Sequence, residues 1–149
     1  MNIAVFCSGS GTNLQAIIDS QKKGYIKADI KLVVSDAPDC HALTRAKNAG
    51  INTLVVERKN FKTKKDFETK ITEALKKEDI GLIVLAGYMR MLSGDFISAY
   101  ENKILNVHPA LLPSFKGTEG IKDAFSYGVK ITGPTVHFVT LDMDAGPVI

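Results

Sequence analysis

Apolar positions change their spacing several times along this chain, and each change marks a new element. Met1–Ser8 is densely apolar and predicts a strand, while Leu14, Ile17 and Ile18 recur at helical spacing within Asn13–Lys22. Lys31–Ser35 predicts a second strand, after which Asp39 reads as the cap of a helix that Gly50 ends. Asn52–Val56 predicts a third strand. Thr63-Lys64-Lys65-Asp66 has the form of a capping box, opening a helix with Phe67, Ile71 and Leu75 on one stripe. Ile80–Ala86 has the continuous apolar character of a central parallel strand covered on both faces. A short helix near Asp95–Tyr100, a strand at Ile104–His108, a helix at Gly120–Tyr127 ended by Gly128, and a strand at Thr135–Val139 complete the series.

This alternation predicts an α/β fold: a doubly wound, mostly parallel sheet with helices on both faces, residues 1–149 forming a single domain. Such sheets bind ligands outside the carboxyl ends of their strands, where the strand order reverses. Three segments follow predicted strands with polar or small residues: Ser8–Asn13, Gly87–Leu92 and Asn106–Pro109. The rule would gather all three at one edge.

Composition narrows the partners. At 45% hydrophobic and 23% charged residues, the chain is outside the disordered class. Ile80–Ala86 is the longest apolar run and is too short to span a membrane. A strand that begins at Met1 leaves no room for a leader peptide, so a cytoplasmic location is expected. Cys7 and Cys40 read as reduced thiols, and Cys40-His41 has no further ligands at zinc spacing, so no metal is expected. The net charge of +3 is spread over Lys22-Lys23, Lys62 to Lys65 and Lys76-Lys77 without interleaved aromatics. That pattern describes solvated helix surfaces and argues against nucleic acid, while a mild positive bias suits small anionic substrates.

Asn106 and His108 share one face of their predicted strand, about 7 Å apart. Pro109 has no N–H and ends the ladder, which puts the pair at a rim. An amide donor beside an imidazole either closes a strand against loop backbone or holds an oxyanion and moves a proton. Ser8-Gly9-Ser10-Gly11-Thr12-Asn13 joins the first strand to the first helix. Small residues and free N–H groups at that helix start can cradle a phosphate. Leu14 stands where a dinucleotide fingerprint has its third glycine, and no Gly-Lys-Ser/Thr follows, so a monophosphate site or a plain tight turn remains. Gly87-Tyr88-Met89-Arg90-Met91-Leu92 offers apolar side chains and backbone groups to a flat ring, or simply fills core. His137 alternates with Val136 and Phe138 and reads as a structural histidine on a sheet face; His41 reads as a helix-surface residue.

Together these segments resemble the phosphoribosylglycinamide formyltransferases of purine synthesis, nearly from end to end. The resemblance is carried by Ser8-Gly9-Ser10-Gly11-Thr12-Asn13-Leu14-Gln15, Leu85-Ala86-Gly87-Tyr88-Met89-Arg90-Met91-Leu92, Asn106-Val107-His108-Pro109, Gly133-Pro134-Thr135-Val136-His137-Phe138-Val139 and Asp144-Ala145-Gly146-Pro147-Val148-Ile149. Asn-x-His-Pro with the later Asp is shared by folate-dependent formyl transferases and hydrolases. The Ser-Gly-x-Gly-Thr-Asn-Leu-Gln opening is narrower.

The resemblance implies transfer of a formyl group from 10-formyltetrahydrofolate, as co-substrate, to the amine of 5′-phosphoribosylglycinamide. By position, Asn106, His108 and Asp144 would be catalytic. Gly11, Thr12 and Asn13 would hold the ribonucleotide phosphate. Met89, Arg90, Met91 and Leu92, with Asn106 and the loop carrying Thr140 and Leu141, would bind the folate. Lys64 stands where the family often has arginine after Phe61; it keeps the charge but not the bidentate fork. Relatives continue past Ile149, so the resemblance also implies a carboxy-terminal strand and helix that this sequence lacks. It leaves open a fragment inactive alone, a complementing carboxy-terminal fragment, or a homodimer.

In the implied reaction the neutral amine attacks the formyl carbon, Asn106 and protonated His108 donate to the oxyanion, and water held by Asp144 relays a proton. A formyltetrahydrofolate hydrolase or a methionyl-tRNA formyltransferase would keep the same three residues but carry an added domain. A non-catalytic nucleotide-binding module is disfavoured by Leu14.

Overall fold

Ile3 to Cys7 contains no polar side chain, and the strand it forms, β1 (Asn2–Cys7), is buried along that whole stretch. The computed structural model describes every residue from Met1 to Ile149, in two units, Met1–Ser93 and Gly94–Ile149. In the first unit β1 pairs in parallel with β2 (Asp29–Ser35). β2 pairs in parallel with β3 (Asn52–Val55), and the other side of β1 takes β4 (Ile80–Leu85), again parallel. The chain moves outward from β1 to β3 and returns past β1 to β4, so the order reverses between β1 and β4.

The helices of this unit are α1 (Thr12–Lys22), α2 (His41–Asn48) and α3 (Lys64–Lys77). Ile3, Val5 and Cys7 form one apolar cluster with Leu14 and Ile18 of α1 and with Ala42, Leu43 and Ala46 of α2. Ala4 and Phe6 alternate to the opposite face. The stripe Phe67, Ile71 and Leu75 of α3 is buried outside that cluster, so helices cover both faces. Each such side chain contributes about 1.5–3 kcal/mol on burial. Thr63 caps α3 as expected: its hydroxyl accepts the Asp66 N–H at 3.0 Å and reaches the Asp66 carboxylate at 2.8 Å.

Two expectations are corrected. Asp39 does not cap α2; Cys40 is the N-cap, its side chain making no bond to the helix start, and its carbonyl accepts the Leu43 N–H at 3.1 Å. The helix starts one residue later than expected, and the Cys40 side chain turns inward instead, its Sγ 3.1 Å from the buried Ser35 hydroxyl. β4 is not covered throughout: Ile83 and Leu85 are buried, whereas Gly81, Leu82 and Val84 are half-buried.

The second unit contains α4 (Gly94–Ala99), β5 (Ile104–His108), α5 (Gly120–Tyr127) and β6 (Thr135–Phe138). β5 and β6 are antiparallel, with Asn106 opposite His137 and His108 opposite Thr135. The buried Thr135 hydroxyl donates to the Ala110 carbonyl at 2.6 Å and accepts the Leu112 N–H at 3.0 Å, which ties the turn after His108 to β6. On its other side, β6 is paired by the last residues: Phe138 N–H donates to Pro147 O and Ile149 N–H to Val136 O, both at 2.9 Å. Gly146 permits this approach, since a Cβ there would stand 1.9 Å from the Phe138 carbonyl oxygen. No helix is long and apolar enough to cross a membrane.

Candidate active site

In the second unit, the antiparallel register sets Asn106 against His137. The Asn106 amide nitrogen lies 3.2 Å from His137 Nε2, and His137 Nδ1 lies 2.9 Å from the Phe138 carbonyl. A carbonyl only accepts, so Nδ1 carries the hydrogen and Nε2 accepts one N–H of Asn106. The amide is thereby oriented while its second N–H remains available. His137 is 2% exposed and forms part of this cluster, which its alternation with Val136 and Phe138 did not reveal.

Asp144 completes the group. Its Oδ1 lies 3.6 Å from His137 Nε2 and its Oδ2 3.4 Å from His108 Nδ1. Its short hydrogen bond comes from the Gly117 N–H, at 2.8 Å to Oδ2. His108 is buried, and its Nε2 donates to the Phe115 carbonyl at 2.8 Å. With a hydrogen on Nε2, the ring turns Nδ1 toward the carboxylate, and a second hydrogen there makes it a cation facing an anion. The turn Phe115–Gly117 therefore grips both partners, and Phe115 and Asp144 each adopt a left-handed conformation (φ 53° and 48°). Such backbone costs of order 1–3 kcal/mol and persists where surrounding contacts impose it.

In the first unit, the β1–α1 turn and the segment after β4 lie at the reversal of strand order, where this fold class binds ligands. The Ser8 N–H donates to the Gly87 carbonyl at 3.0 Å, and the Ser8 hydroxyl accepts the Met89 N–H at 2.9 Å. Two of the three segments singled out in the sequence thus meet. Gly11 is the N-cap of α1 and its carbonyl accepts the Gln15 N–H at 2.9 Å, so the N–H groups of Thr12 and Asn13 have no intrahelical acceptor. Both residues are exposed.

Gly11 has φ 70°, and a Cβ there would meet Ala42 at 2.7 Å. The glycine is therefore required by packing against α2 as well as by the turn. Arg45, not anticipated, donates from Nε to the Ser10 carbonyl at 2.9 Å and from its terminal nitrogen to the Gln15 side chain at 3.2 Å, adding a cation beside the turn.

Met89, Arg90 and Met91 are exposed, but Leu92 is buried, so it can meet a ligand only through its backbone. Lys64 opens α3 and is exposed. Thr140 and Leu141 are exposed, the Thr140 hydroxyl donating to the Asp142 carbonyl at 3.2 Å. Cys7 ends β1 directly before the turn. Burial first, and then the neighbouring Cys40, push its thiol up to about 12, which denies it nucleophilic character. Burial likewise raises the Tyr88 phenol, whose ring packs edge-on against Phe6 with centroids 5.2 Å apart.

The arrangement matches known proteins along its whole length. The family model described as formyl transferase matches residues 1–149. The chain is 46% identical over 149 residues to the trifunctional purine biosynthetic protein adenosine-3 of Gallus gallus, covering 100% of this chain and 15% of that protein. It is 42% identical over 146 residues to the phosphoribosylglycinamide formyltransferase of Bacillus subtilis, covering 98% of this chain and 75% of that one. Among solved structures, glycinamide ribonucleotide transformylase 1 from Symbiobacterium toebii superposes with a TM-score of 0.97 at 43% identity, covering 100% of this chain and 70% of that one. The sequence therefore spans about a seventh of the trifunctional relative and about three quarters of the bacterial ones. On the strength of a match that leaves no residue of this sequence outside it, the chain belongs to the formyl transferase family.

Proposed function

We propose that this chain carries out formyl transfer from 10-formyltetrahydrofolate to the amine of phosphoribosylglycinamide, in purine synthesis. The observation that carries the reading is the pairing of Asn106 with His137 and of His108 with Asp144, found in a chain 42% identical to a protein named for that activity. The neutral amine attacks the formyl carbon, and negative charge develops on the formyl oxygen. Asn106 donates its free N–H to that oxygen, its amide held in place by His137. The second donor is His108, whose Nε2 hydrogen exchanges the Phe115 carbonyl for the oxyanion as substrate binds. Hydrogen bonds of this kind tighten in the reactive complex and need not be formed beforehand. Asp144 balances the imidazolium and holds the water that moves the proton from the attacking amine to the departing folate nitrogen. Bond making to the amine and bond breaking to the folate nitrogen then conserve the formyl group and the proton.

Gly11, Thr12 and Asn13 receive the ribonucleotide phosphate at the start of α1, and Met89 to Leu92 read the folate ring, with Lys64, Thr140 and Leu141 as further folate contacts. The test is donor consumption, followed spectrophotometrically with and without phosphoribosylglycinamide. Consumption that depends on the amine is expected. Consumption at an equal rate without it would mean hydrolysis and would overturn the reading.

A further inference from the structure

The segment that follows β4 is fastened at both ends by carboxylates. Asp36, directly after β2, accepts the Ser8 hydroxyl at 2.5 Å through Oδ1 and Arg90 Nε at 2.6 Å through Oδ2. Ser8 in turn accepts the Met89 N–H, so the sequence of bonds runs Met89 backbone, Ser8 hydroxyl, Asp36 carboxylate, Arg90 guanidinium. At the far end the buried Glu68 of α3 accepts the Ser93 N–H at 2.7 Å and the Ser93 hydroxyl. Between these anchors Met89 and Met91 are 76% and 60% exposed.

The side chain of Asp36 is 9% exposed and both of its oxygens are engaged. That geometry separates it from an ordinary surface ion pair, which contributes little. A bond from a charged group to two donors on different loops fixes their spacing, and a loop fixed beforehand loses less entropy when a ligand orders it. Arg90 is held on Asp36 through Nε, and Met89 and Met91 are the apolar side chains that the segment exposes.

We infer that Asp36, acting through Ser8 and Arg90, is a positioning residue that preorganises residues 87–93 for the folate; this rests on the functional reading above. Asp36 does not touch substrate in this assignment, and its effect is on how rigidly the slot is held. A structural tie alone would alter stability without selecting between the two substrates.

The experiment compares Asp36→Ala, Asp36→Asn and Ser8→Ala with the wild-type protein in three readouts. Hydrogen exchange of the Met89–Met91 amides, without ligand, is expected to quicken about tenfold in Asp36→Ala and Ser8→Ala, as loss of a charge-assisted bond implies. The KM for 10-formyltetrahydrofolate is expected to rise by a similar factor of about ten, while kcat at saturation and the KM for phosphoribosylglycinamide stay within about twofold. Asp36→Asn, which keeps one acceptor oxygen, falls between wild type and Asp36→Ala. An unchanged folate KM, or equal rises in both KM values, overturns the proposal. A wild-type protein that binds no 10-formyltetrahydrofolate overturns the functional reading itself and this inference with it.

Discussion

The buried His108 and the half-buried Asp144 face each other, Nδ1 to Oδ2 at 3.4 Å, and the two short hydrogen bonds that fix them come from one turn. The Phe115 carbonyl takes the His108 Nε2 hydrogen and the Gly117 N–H holds the Asp144 carboxylate. A distance of 3.4 Å is longer than the 2.7–2.9 Å or so of a strong charge-assisted bond, so the turn's two hydrogen bonds, more than the pair's own contact, hold the arrangement. Asp144→Asn keeps an oxygen for Gly117 and hence the loop. The expected outcome is an unfolding midpoint close to wild type and a formyl-transfer rate lower by about 10²–10⁴, the usual worth of positioned acid–base groups. Steady-state kinetics beside a thermal melt check this. A variant that melts far earlier would show Asp144 to act by holding the loop.

Gly11 invites a substitution test of the phosphate turn, but its surroundings change what that test reports. Any side chain there meets Ala42 at 2.7 Å and must adopt φ 70°. Overpacking costs about 1–3 kcal/mol and the left-handed backbone about 1–2 kcal/mol more. Gly11→Ala is expected to lower the denaturation midpoint and weaken both ligands together. Thr12→Val, at an exposed position, is expected to spare stability and weaken only the ribonucleotide. Calorimetric titration of both ligands into both variants separates the cases, and equal weakening by Thr12→Val would remove the turn from the binding site.

The thiol of Cys7 sets a pH dependence. Its folded value of about 12 lies above the ordinary cysteine value, so above that ordinary value the unfolded chain releases a proton that the folded chain keeps. The contribution to stability is thus complete below about pH 8.5 and is lost as pH rises toward 12, by up to about 1.4 kcal/mol per unit. Alkylation of Cys7 by iodoacetamide at pH 8.5 is expected to be negligible in the native protein and rapid in denaturant. Rapid native labelling would contradict the burial of this strand end.

Local pattern carried much of this molecule. Period-two alternation placed Asn106 and His108 on one strand face, and the Thr63–Asp66 box opened α3 where its polar residues indicated. What it could not carry was partnership across long separations. His137 looked like a sheet-face histidine because its meaning comes from the antiparallel register that sets it opposite Asn106, 31 residues away. Asp36 had no motif around it, since its partners Ser8 and Arg90 lie 28 and 54 residues distant. Gly11 read as room for an anion, whereas its nearest constraint is Ala42, which only packing brings close. Glu68 is charged yet buried on the α3 stripe, and its acceptor role depends on Ser93.

In the reaction proposed for this chain, Asn106, oriented by His137, stabilises the developing oxyanion. Asn106→Ala removes that donor and leaves β5, whose side chain at this position is only half-buried. Losing an oxyanion donor typically lowers kcat by about 10²–10³ with substrate affinity unchanged. The decisive measurement is kcat and both KM values for Asn106→Ala beside wild type, assayed as amine-dependent consumption of 10-formyltetrahydrofolate. A fall in kcat of that size with both KM values within about twofold is the result expected. A variant that keeps more than about a third of the wild-type kcat, where loss of an oxyanion donor should leave no more than a hundredth, would contradict it.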